Sequence, residues 1–142
     1  MPMSNAAHPT PFHPKWYRRR VSVWWWLESW RYAKFVLREL TSLAVAFFAG
    51  LALWKIRAIA AGPEAYAQVS AFFGSLAGRT LLFLFSWSLI HHMLGGIRHL
   101  IWDTGHGLDK VSIEIFAWAT IIGSIVLTVL VWVVGYWLTG AF

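Results

Sequence analysis

From Ile115 to Phe142 no residue carries a charge. A run of that length can cross a hydrocarbon layer of about 30 Å as a tilted helix. Two further apolar stretches precede it. The first spans about 33–60, with its most apolar part at Leu40–Trp54. That part is short, but Lys55 and Arg57 can snorkel to the far interface. Gly62-Pro63 ends it, and Pro63-Glu64-Ala65-Tyr66 opens a short interfacial helix that closes near Gly74. The second stretch spans about 76–103 and stops at the glycine-rich Thr104-Gly105-His106-Gly107. Asp109 is a ready N-cap for the third, about 110–138. The expected fold is an all-α membrane protein with three transmembrane helices. Residues 1–32 form an arm with a Trp-rich interfacial segment, and 33–142 form the membrane domain.

Composition agrees. The chain is 58% hydrophobic and 13% charged, against about 25% charged for a soluble domain. Its eleven tryptophans suit the membrane–water interface. With no cysteine, the chain itself carries no disulfide, thiolate chemistry or Cys-ligated iron–sulfur cluster. A net charge of +6 could suggest nucleic acid, but seven of the twelve basic residues lie before position 39, beside an apolar run. That pattern is a cytoplasmic membrane flank, so no nucleic-acid partner is expected.

Orientation follows from Lys and Arg. The side carrying the N-terminal flank and the loop between the second and third spans holds nine; the other holds Lys55, Arg57 and Arg79. The N-terminus is therefore expected in the cytoplasm. Trp24-Trp25-Trp26 and Trp30 suit an amphipathic segment on that face. Residues 1–15 read as a disordered arm, with His8 and His13 solvated, and the N-terminus lacks the apolar region of a signal peptide.

The chemistry-bearing stretch is His91-His92-Met93-Leu94-Gly95-Gly96-Ile97-Arg98-His99-Leu100-Ile101-Trp102-Asp103. Ionisable residues inside a span are costly and mark function. His92 and His99 share a helical face, two turns apart, with Gly95 and Gly96 between them. A histidine beside bare backbone suits ligation of a flat macrocycle such as haem; the alternative is a buried histidine hydrogen-bonded to a neighbouring helix. His92 lies about three turns from Asp103, well inside the bilayer. His91 points about 100° away and is a structural residue or a minor candidate. Arg98 and His99 could hold haem propionates or cap the helix end. The other two spans contain no histidine, and the only methionine beyond Met3 is Met93. A second axial ligand must therefore come from another chain.

Arg38-Glu39 at the start of the first span is the second candidate. Reducing a quinone to a quinol takes two electrons and two protons, so its site needs proton donors. Glu39, His99 and Asp103 qualify if they meet; the alternative is a solvated boundary residue.

His92-x-x-x-Gly96-Ile97-Arg98-His99-x-x-x-Asp103, with Pro63-Glu64 before it, resembles the cytochrome b556 C-subunit anchors of succinate dehydrogenases. The resemblance implies half of a two-subunit anchor bundle, with haem b ligated by His92 and by a second membrane anchor subunit. It also implies an iron–sulfur subunit carrying the clusters and a flavoprotein carrying FAD. This chain would be a non-catalytic subunit of the oxidoreductase, in a bacterial cytoplasmic (inner) membrane. The first span departs from the family. Its usual Ser, His and Arg are replaced by Phe35, Arg38 and Glu39. Trp24-Trp25, Tyr32 and Leu37-Arg38-Glu39-x-Thr41 instead resemble the C subunit of four-subunit fumarate reductases. There the glutamate serves a menaquinone site, which implies that Arg38, Glu39 and Asp103 border a quinone, ubiquinone or menaquinone. The rival readings are a haem-free anchor of a quinol:fumarate reductase and an unrelated membrane transport component.

Overall fold

The computed structural model describes residues 22–140. The arm at 1–15, His8, His13 and the basic run Arg18–Arg20 lie outside the described residues. A 3-10 turn at Trp25–Leu27 leads into four helices: α1 (Trp30–Ala61), α2 (Pro63–Gly74), α3 (Leu76–Asp103) and α4 (Lys110–Thr139). Three of them, α1, α3 and α4, are long and apolar enough to cross a membrane. At 1.5 Å per residue they run about 42–48 Å, so their ends project beyond a hydrocarbon core of about 30 Å.

Local chemistry sets each boundary. Ser29 caps α1 by accepting from the Arg31 amide at 3.3 Å. Gly62 breaks the chain between α1 and α2 at φ 113°, a conformation that a side chain resists. Pro63 follows as the first residue of α2, where its missing N–H costs nothing. One hydroxyl makes the elbow into α3: Ser75 Oγ donates to the Phe72 carbonyl at 2.6 Å and accepts from the Gly78 amide at 3.1 Å. Asp109 caps α4, accepting from the amides of Val111 and Ser112 at 3.1 and 3.0 Å. Hydrogen bonds from Ser112 and Val111 hold its carboxyl below the usual aspartate range.

The central helix is α3, which packs against α1, α2 and α4. The interior is small and polar. Among the described residues the buried apolar side chains are Ala58, Val69 and Ala117, whereas Thr41, Ser88, His91, Thr120, Ser124 and Thr128 are all buried. Large apolar side chains such as Leu100, Ile122 and Leu130 point outward. Lipid offers no hydrophobic drive between helices, so small residues that permit close approach and polar residues that bond across the seam hold such a bundle.

Candidate functional site

The first span brings Thr41 against His92. Thr41 is 3% exposed, and its Oγ1 lies 3.3 Å from His92 Nδ1. The same hydroxyl donates to the Arg38 carbonyl three residues earlier at 2.5 Å. The His92 ring is half-buried, and its Nε2 makes no hydrogen bond among the described residues. The two glycines beyond it differ. A Cβ at Gly95 would meet the Arg38 side chain at 3.2 Å, so α1 packs closely there; a Cβ at Gly96 would meet nothing within 4 Å. Bare backbone one turn from His92 is thus open.

His91 belongs to another side of α3. It is 3% exposed, and its Nδ1 lies 3.2 Å from Ser124 Oγ of α4. Ser124 also accepts from Trp87 Nε1 at 3.1 Å and donates to the Ile121 carbonyl at 2.8 Å. The histidine is part of the seam between α3 and α4, with every valence of the serine hydroxyl used.

The start of α1, the end of α3 and the start of α4 form one end of the bundle. There the Arg38 guanidinium bonds both the Glu39 carboxylate and the His99 ring. Lys34 pairs with Glu114, tying α1 to α4. Arg98 lies over the Trp102 ring at 4.9 Å, and its buried Nε has no hydrogen-bond partner among the described residues. A cleft of about 300 Å³ opens here, lined by Arg31, Lys34, Phe35, Arg38, Arg98, His99, Trp102, Ile113, Glu114 and Ala117. Arg31, Lys34, Arg38 and Arg98, with the His99 ring, share it with one acid, Glu114. Glu39 hangs at the edge of this group, its side chain 51% exposed.

The structure therefore brings Arg38, Glu39 and His99 together. Arg98 joins Arg38 and His99 in the cleft, which neither His92 nor His91 lines. Asp103, in the last turn of α3, is exposed and makes no hydrogen bond or ion pair among the described residues. The contact of Thr41 with His92 and the Lys34–Glu114 pair are not foreseen from the sequence, where Thr41 stands only as part of the Leu37-Arg38-Glu39-x-Thr41 motif. Thr41 sits one turn past Arg38 on the same side of α1, a signal that was available; the Lys34–Glu114 pair depends on helix register, which carries no sequence signal.

Comparison with known proteins agrees on one family. Residues 7–131 match the family model described as succinate dehydrogenase/fumarate reductase transmembrane subunit. A succinate dehydrogenase cytochrome b556 subunit of Rickettsia prowazekii is 31% identical over 98 residues, covering 69% of this chain and 76% of that protein. One of Paracoccus denitrificans is 36% identical over 99 residues, covering 70% and 76%. With three apolar helices and these relatives, the chain is a multi-pass membrane protein, and it belongs to the succinate dehydrogenase/fumarate reductase transmembrane subunit family.

Proposed function

We propose that this chain is a membrane anchor of a succinate:quinone oxidoreductase, that it holds haem b through His92, and that Arg38 and Glu39 border the quinone site. One observation carries the haem reading: a half-buried His92 with Nε2 unpartnered among the described residues, one turn from the open backbone at Gly96. A lone imidazole suits a metal already held by a ring of other donors. Haem b supplies one-electron transfer when bound. The described residues of α1 and α4 contain no histidine, so His92 would hold the haem from this chain and a second anchor subunit would supply any further ligand. An iron–sulfur subunit and, behind it, a flavoprotein with FAD would supply the electrons.

At the rim, Glu39 exchanges protons with the quinone, while Arg38 holds the carboxylate in place and joins it to His99. Arg98 and His99 supply charge and hydrogen bonds to an anionic or carbonyl oxygen entering the cleft, a haem propionate or the quinone itself. Asp103 adds a carboxylate at the same end of the bundle. The basic residues gathered there support a cytoplasmic side for that end and for the N-terminus, in a bacterial inner membrane.

The test is a reduced-minus-oxidised optical spectrum of the detergent-extracted complex, wild type beside His92→Ala. A b-type band that disappears in the variant is the expected result. No band in the wild type means a haem-free anchor; a band that survives the substitution removes His92 as ligand.

A further inference from the structure

We infer that Thr41 of α1 is a positioning residue for haem ligation: it fixes the His92 tautomer so that Nε2 is the atom presented to the metal. This rests on the haem reading above and extends it to a residue on a different helix.

The inference is a count of hydrogens. A threonine hydroxyl has one proton and two lone pairs. Thr41 gives its proton to the Arg38 carbonyl, at 2.5 Å. Two oxygens do not stay that close without a proton between them, so the proton is not available for His92. The 3.3 Å contact between Thr41 Oγ1 and His92 Nδ1 then has one arrangement: Nδ1–H donates and the hydroxyl accepts. A neutral imidazole protonated at Nδ1 has its lone pair on Nε2.

Thr41 is almost fully buried, so water does not compete for the bond. The backbone of α1 orients the hydroxyl, since the accepting carbonyl lies one turn away in the same helix. A ligating histidine gains basicity and a fixed ring plane when its other nitrogen donates to an oxygen. Here that oxygen is a side-chain hydroxyl on the helix that also carries Arg38 and Glu39. The His92 ring is thereby held by the same turn of α1 that forms the rim cluster.

The experiment uses the assembled complex carrying wild type, Thr41→Val, Thr41→Ala or Thr41→Ser, with His92→Ala as the reference for ligand loss. Haem per complex and the haem midpoint potential are read by optical redox titration. Val and Ala remove the hydroxyl; Ser keeps it and loses only the methyl. The expected result is that Val and Ala weaken haem retention by about 10-fold or more and raise the midpoint potential, because a less basic imidazole stabilises ferric iron less. Ser matches the wild type. If Val and Ala keep the wild-type haem content and potential while His92→Ala loses the band, Thr41 has no positioning role and the haem reading still stands. If Ser is perturbed as much as Val, the methyl and not the hydroxyl matters, and the inference falls. A wild-type complex without a b-type band overturns the haem reading and this inference with it.

Discussion

Ser124 shows what a single hydroxyl does in this bundle. It is completely buried and satisfies three partners at once: Trp87 Nε1–H, the His91 ring and the Ile121 carbonyl. Because its own proton goes to the carbonyl, His91 Nδ1 donates to it, as His92 does to Thr41. Ser124→Ala removes the hydroxyl that accepts from two ring N–H groups, His91 buried and Trp87 half-buried. Each lost bond inside a membrane bundle costs about 0.6 kcal/mol on average and an orphaned donor costs more, so the variant should lose about 1–2 kcal/mol. Ser86 accepts from one ring, Trp132 Nε1, at 3.2 Å, so Ser86→Ala should cost about half as much. Thermal unfolding of the detergent-solubilised complex orders the two; equal losses would remove the serine's double role. Neither serine stands out in the sequence. The two adjacent histidines do, and the 100° between neighbouring helix positions already separates His91 from His92. What helix geometry leaves open is which neighbour each one meets.

At the scale of the elements, the elbow between α2 and α3 is closely packed at Gly78. A Cβ at Gly78 would overlap the Phe72 carbonyl oxygen and stand 2.8 Å from Phe73 Cα. Both are backbone atoms and cannot swing aside. Gly78→Ala should therefore open the elbow and cost about 1–3 kcal/mol of overpacking, whereas Gly96→Ala, with nothing in reach, should carry no such cost in the haem-free protein. Limited proteolysis at Gly74–Ser75, together with the unfolding midpoint, checks the pair; matching behaviour of the two variants would contradict the packing difference. The three spans and the Asp109 cap are legible in the sequence because hydropathy and capping are local. The distinction between Gly78, Gly95 and Gly96 is not, because each glycine reads the same until the opposing helix is in place.

At the scale of the whole molecule, the polar groups of three helix ends meet at one rim while the outer faces stay apolar. Arg38, Glu39 and His99 are brought together there, with the Lys34–Glu114 pair holding α1 and α4 beside them. If Glu39 delivers protons to a quinone, Glu39→Gln should slow quinone reduction in the assembled complex about 10²-fold or more, the range of a lost acid–base group, and leave any haem band in place. Steady-state assays with a soluble quinone measure this, and unchanged kinetics would take Glu39 out of the site.

By itself the sequence determined that the chain crosses a membrane three times, which residues are too polar to lie there idly, and, by its motif, its kinship. These follow from hydropathy, helix period and residue spacing, all of which act along one chain segment. The tertiary structure decided which polar residues become partners: Thr41 with His92, Ser124 with His91, Arg38 with both Glu39 and His99. Except for Arg38 and Glu39, these partners lie on different helices. A hydrogen bond needs its two atoms within about 3 Å, and only the packed register of α1, α3 and α4 brings them that close.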